Sequence, residues 1–232
     1  MKKSVLIASL FCFPALADIT ETIEKYTDIF GVSLSSVDGE TVYTLDANYD
    51  INDNLRVFGD IDTESSWEAG VGYSFWSGED YYTENTLSVS DNKYSTGIFA
   101  VKAITDKWLA IGDINYNYRL DVDDPVCQWF DACNGNPLDM VYKPSETIDY
   151  SVGAMWSAHQ YVDLMYKFNQ EVGLAKNELS VLGERLPLSE RTNIIYHEAV
   201  LYLNTKYLRP SITYTMSEDF ENYVEFGLTF NF

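Results

Sequence analysis

Between Trp108 and Leu120 the chain alternates strictly: Trp108, Ala110, Gly112, Ile114, Tyr116, Tyr118 and Leu120 share one parity, and Asp113, Asn115, Asn117 and Arg119 the other. Successive side chains of a strand point to opposite faces, so such a segment offers one face to an apolar medium and the other to water. The same period recurs where Tyr43, Leu45, Ala47 and Tyr49 oppose Thr44, Asp46 and Asn48. It recurs again where Ile148, Tyr150, Val152, Ala154 and Trp156 oppose Asp149, Ser151 and Gly153. Twelve segments of this kind are predicted, at 29–37, 41–50, 55–62, 67–76, 81–90, 95–104, 108–120, 147–156, 161–170, 192–203, 207–216 and 221–232. Each is near the ~9–11 residues that a tilted strand needs to cross a bilayer. A count of ten or fourteen is also compatible with the pattern. Beyond the N-terminus no apolar run approaches the roughly 20 residues of a membrane helix, so any membrane-spanning structure has to be built from strands.

The N-terminus predicts export. Lys2 and Lys3 precede an apolar stretch from Ser4 to Phe13 and a small-x-small box, Ala15-Leu16-Ala17, which together read as a cleaved signal peptide over 1–17. Cys12 leaves with it, because Phe11 before it is unsuited to lipoprotein processing. Residues 18–28 carry Ile19, Ile23 and Tyr26 at a helix-like spacing and are expected to form a short periplasmic lead-in, with the strand domain over 29–232.

The connections add an independent constraint. Asp50 to Asn54, Ser77 to Asp80, Thr105 to Lys107, Ser157 to Gln160 and Asn204 to Lys206 are short and fall at every second position. Both long connections, 121–146 and 171–191, fall in the other set, as expected of a barrel with short periplasmic turns at one end and longer extracellular loops at the other. Aromatic residues gather beside the short set: Trp76, Tyr81, Trp108, Trp156, Tyr161 and Tyr207 are assigned to a periplasmic girdle, where amphipathic rings prefer the headgroup level. The chain as a whole holds 18 Tyr, 12 Phe and 5 Trp, the composition of strands with one apolar face.

The last segment reads Glu221-Asn-Tyr-Val-Glu-Phe-Gly-Leu-Thr-Phe-Asn-Phe232, with Val224, Phe226, Leu228, Phe230 and Phe232 on one face. Glu225, Gly227, Phe230 and Phe232 match the polar, glycine, hydrophobic and terminal aromatic places of an assembly signal, and the chain resembles the β-barrel proteins of the Gram-negative outer membrane. That resemblance implies an all-β fold, an antiparallel transmembrane β-barrel, to which the alternating segments give twelve strands. It also implies location in the outer membrane, contact with lipid and lipopolysaccharide, and the barrel-assembly machinery as a partner during biogenesis. A final strand of this kind suits pairing by β-augmentation before closure onto the first strand. Some twelve-stranded oligosaccharide-specific porins have similar length but arginine-lined lumens for acidic sugars, and the arginine-poor lumen expected here departs from them.

If the aromatic faces meet lipid, the lumen-facing charges are Asp46, Arg56, Asp60, Asp62, Glu68, Glu84, Lys102, Asp113, Arg119, Asp149, Asp163, Lys167, Glu198, Arg209 and Glu225, in which acids outnumber bases. Twelve strands lie between barrels filled by their own side chains and wide-open porins. Two readings follow: a narrow channel whose acidic field favours small hydrophilic solutes or cations, or charges cross-paired into a plug. A monomeric porin-like channel is the expected function. A non-conducting barrel whose loops 121–146 and 171–191 bind a surface partner is the alternative.

Other chemistry is thinly represented. The net charge of -21, with no basic run, argues against nucleic acid as a partner. Cys127 and Cys133 lie in the long loop and on an oxidising route are expected to form a local disulfide; two thiols without neighbouring His fall short of a zinc set. Asp121, Asp123 and Asp124 resemble the start of a calcium loop, but Pro125 follows and no turn glycine does. His159 falls in a short turn. His197 lies in a segment, Ile194 to Leu203, apolar on both faces, and its neighbours at the matching parity offer Tyr but no Ser for a nucleophile. No enzyme activity, cofactor or metal is therefore expected.

Overall fold

A computed structural model describes residues 30–37, 40–78, 80–123, 140–182, 184–188 and 191–230. The signal segment, the lead-in, Cys127, Cys133 and Phe232 lie outside them. The strands that the alternation marks close on themselves: β1 (Phe30–Val37), β2 (Glu40–Asn52), β3 (Leu55–Asp62), β4 (Trp67–Gly78), β5 (Tyr81–Ser90), β6 (Lys93–Thr105), β7 (Trp108–Arg119), β10 (Thr147–His159), β11 (Val162–Gly173), β14 (Asn193–Leu203), β15 (Leu208–Ser217) and β16 (Tyr223–Phe230). Each pairs antiparallel with its neighbours, and β16 pairs with β1 from Phe30↔Phe230 to Ser35↔Glu225. The result is an all-β, twelve-stranded closed barrel with no free edge.

The long connections hold the remaining strands: β8 (Val122–Asp123), β9 (Met140–Lys143), β12 (Glu178–Val181) and β13 (Glu184–Pro187). They pair into a separate sheet in the order β13-β12-β9-β8, which repeats the barrel order β14-β11-β10-β7. Because β8 follows β7 directly and β9, β12 and β13 flank β10, β11 and β14 in the chain, one arc of the barrel continues past its rim as a raised sheet. Lys143 Nζ meets Asp121 at 2.6 Å within it, and Asn177 accepts the Ser145 N–H at 2.8 Å where the two long connections meet.

The two faces follow the sequence alternation. Outward positions are exposed and apolar, among them Leu45, Val71, Leu87, Ile98, Ile114, Val152, Leu164, Ile212 and Phe226. At the short-turn rim Trp108 stacks on Trp156 with centroids 5.8 Å apart, Trp76 lies 4.8 Å from Tyr81, and Lys206 stands over the Tyr207 ring at 4.9 Å. Trp76, Trp108, Trp156, Tyr161 and Tyr207 are all exposed there. A second aromatic set, Tyr43, Trp67, Tyr94, Tyr116 and Tyr118, marks the opposite rim. From Trp108 to Tyr118 a strand tilted by ~40° rises roughly 25 Å, the height of a barrel's lipid-facing band. Register shifts at Asp50/Asn52, Ser74/Trp76, Ala103/Thr105 and Ser157/His159 all sit beside the short turns, where a bulge re-aims the strand end. At the other rim Asp62 accepts the Glu64 and Ser66 N–H groups at 2.8 and 2.9 Å, capping a turn in which Ser65 takes a positive φ of 68°.

Candidate functional site

The inward faces of the strands build a lumen with two unlike walls. Along β5, β6, β7, β10, β11 and β14 the inward residues nearest the short turns are apolar and packed: Tyr82, Val101, Leu109, Ile111, Met155, Met165 and Val200 form one cluster with Phe99, Ala103 and Tyr202 against it. Met155 is 0% exposed, so water does not reach this part of the interior. Cores inside membrane barrels need not be polar where side chains fill the space. The sequence signal for this cluster was the segment Ile194 to Leu203, apolar on both faces.

Further toward the loop end the same wall turns polar and pairs its charges. Lys167 meets Asp113 at 3.5 Å, and Ser151 Oγ donates to Asp113. Asn169 Nδ2 donates to Glu198 at 3.0 Å. Asn117 Nδ2 donates to Asp149 at 2.5 Å and Arg119 meets Glu171 at 3.1 Å. Two more ion pairs bridge strands that are not direct neighbours. Arg56 donates to both carboxylate oxygens of Glu84 at 2.7 and 2.6 Å, and Tyr82 Oη adds a third hydrogen bond at 2.8 Å. Arg209 meets Asp163 at 2.9 Å while stacking over Tyr202 at 4.7 Å, and Asn204 Nδ2 reaches the same carboxylate at 2.7 Å. Charge-assisted, partly bidentate contacts are what make buried ion pairs tolerable.

The other wall, on β15, β16 and β1 to β4, differs. Asp46 stands directly opposite Asp60, and Asp60 directly opposite Glu68, so three inward carboxylates sit in register on adjacent strands. All three are half-buried, and among the described residues none enters an ion pair. Like charges directly opposed across a ladder are destabilising. Glu225, opposite Ser35 and Thr213, adds another inward acid on β16. Space for these side chains comes from inward glycines: a Cβ on Gly31 would run into the Asp46 carboxylate, and one on Gly72 into the Glu84 carboxylate. Glycine is the residue that lets a neighbour approach the backbone this closely.

Of the charges expected in the lumen, Asp46, Arg56, Asp60, Asp62, Glu68, Glu84, Asp113, Arg119, Asp149, Asp163, Lys167, Glu198, Arg209 and Glu225 share the parity of the inward faces. Asp62 spends its carboxylate on the turn it caps. Lys102 is a correction: it is exposed on the outward face beside the short turn, 3.9 Å from Asp80. At that depth the inward positions on either side, Val101 and Ala103, belong to the apolar cluster, and an outward lysine reaches the headgroup level instead. Lys93 and Glu171, both inward, lie just beyond the predicted strand ends and were missed for that reason. His197 faces outward, with Tyr166 Oη 2.7 Å from its Nδ1 and the Phe168 ring at 5.4 Å. Among the described residues no group of three or more His, Cys, Asp or Glu converges to hold a metal ion.

No protein-family pattern matches the sequence, and no curated protein matches it. Solved structures do. The KdgM porin superposes with a TM-score of 0.64 at 9% identity, over 88% of this chain and 99% of that one. This chain has the fold of outer-membrane porins. The NanC porin gives 0.63 at 8% identity over 88% and 98%, and the COG4313 outer membrane channel from Pseudomonas putida F1 gives 0.59 at 12% identity over 97% and 100%. At these identities the likeness is one of architecture, and the lumen has to be read from its own residues.

Proposed function

We propose that the chain is an outer-membrane channel that passes small hydrophilic solutes and prefers cations. The observation that carries this reading is the row Asp46, Asp60 and Glu68, half-buried on one lumen wall and without an ion pair among the described residues, opposite a wall on which Lys167 pairs with Asp113 and Arg119 with Glu171. A row of unpaired carboxylates along a confined aqueous path lowers the energy of cations and raises that of anions. Membrane placement is supported by the exposed apolar band between two aromatic rims, on a barrel that β16 closes onto β1. One similar structure is described as KdgM porin in complex with disordered oligogalacturonate, a polyanion; the acidic row here opposes such a solute. The apolar cluster over half the lumen makes the path narrow.

The test is current through the purified protein in planar bilayers. Small, discrete openings support the channel, and an electrically silent barrel with no solute uptake into liposomes overturns it. The pairing of the two long connections into a sheet favours the alternative, a barrel that presents a rigid surface for binding, and that silent outcome would select it.

A further inference from the structure

Resting on the channel reading, we propose that the permeation path runs off-axis against β15, β16 and β1, and that Glu225 is the selectivity residue at its entrance. Ile111, Met165 and Val200 each lie three residues from the short-turn end of their strands, and so do Ser211, Gly227 and Ser33 across the barrel. The first three are buried in the apolar cluster, whereas the second three are only half-buried. At this depth large side chains therefore fill one side of the lumen, and on these three strands nothing bulkier than a hydroxymethyl group stands on the other. Ser211 is directly opposite Gly227, and Gly227 directly opposite Ser33, so the small residues form one continuous row. Two guanidiniums flank the row and are drawn back from it. Arg209 on β15 stacks over Tyr202 to reach Asp163 on β11, and Arg56 on β3 reaches Glu84 on β5.

Glu225 stands two residues before Gly227 on the same inward face, on the loop side of the row. It is half-buried and enters no ion pair among the described residues. Directly opposite on β1, Ser35 is 2% exposed and its Oγ has no hydrogen-bond partner among the described residues. A buried hydroxyl left in this state costs stability, and beside a carboxylate it offers a second oxygen to a cation that has shed part of its water. On the short-turn side of the row, the Asp46 carboxylate lies over Gly31. A cation moving from the loop end thus meets Glu225, then the row of small residues, then Asp46, along the wall that leaves it room.

Bilayer current before and after a water-soluble thiol reagent, trimethylammonioethyl methanethiosulfonate, tests this, with the wild type treated alike as the baseline. On modification S33C and S211C are expected to lose roughly half their current or more, while I111C and M165C keep theirs. E225Q is expected to move the reversal potential in a KCl gradient toward zero. Circular dichroism and the mobility of the unheated protein on gels confirm that each variant is folded. Current kept in S33C and S211C, or lost equally in I111C and M165C, overturns the off-axis path. A reversal potential unchanged in E225Q overturns the role of Glu225. If the barrel is electrically silent, mass-tagging by the same reagent in liposomes separates the two readings. Labelling of S33C and S211C faster than I111C then leaves the water-lined row standing and removes the channel, and labelling no faster than I111C overturns both.

Discussion

Asp60 lies directly across the β3–β4 ladder from Glu68, carboxylate beside carboxylate, with Asp46 on its other side. The arrangement costs folding energy and places on the lumen wall negative charge that no ion pair among the described residues neutralises. Replacing Asp60 with Asn is therefore expected to stabilise the barrel by about 0.2–1 kcal/mol while reducing its preference for cations. Urea unfolding in vesicles reads the first effect and reversal potential the second. A D60N variant that is less stable and equally selective contradicts both.

Asp163 is 1% exposed and takes hydrogen bonds from Arg209 and Asn204. Removing the arginine alone, as in R209M, leaves that carboxylate buried beside one neutral donor and is expected to cost about 3–5 kcal/mol. The double variant R209M/D163L, which removes both charges, should recover most of that loss. Comparing the two unfolding midpoints checks the assignment, and equal destabilisation of single and double variants would argue that packing against Tyr202 dominates.

Val152 is 59% exposed at the middle of β10, on the outward face. If that face meets hydrocarbon, V152R costs roughly 2–4 kcal/mol, whereas Y161R at the short-turn rim costs about 0–1 kcal/mol. Folding equilibria in lipid vesicles measure both. Similar penalties at the two depths would be inconsistent with a membrane-spanning band.

Gly31 carries the Asp46 carboxylate against the wall. Because the obstructed group is the end of a flexible side chain, G31A is expected to leave stability within about 1 kcal/mol and to push Asp46 toward the lumen axis. Single-channel conductance should fall. An unchanged conductance would mean that Asp46 does not border the permeation path.

Most of the architecture was legible because a closed membrane barrel obliges every strand to separate two media, and the alternation records that separation. All twelve predicted segments coincide with barrel strands, and the two long connections do lie at one end. What escaped was chemistry at the margins. Lys93 and Glu171 sit at strand ends, where hydrogen bonding continues for a residue or two past the apolar period. Lys102 was misplaced because charge was equated with the lumen, while near the short turns the lumen is apolar and the outer rim is wet. The like-charged row was invisible without register, since Asp46, Asp60 and Glu68 are distant in sequence and meet only through strand pairing. The raised sheet on the long connections was equally hidden, because its four short strands pair across two loops with no shared period.

The most direct measurement is the reversal potential of the reconstituted protein across a KCl gradient. A potential displaced toward the potassium equilibrium value, and moved back toward zero in the D60N/E68Q variant, is predicted by an unpaired acidic wall. A potential displaced toward the chloride value, or one unaffected by removing both carboxylates, would contradict it.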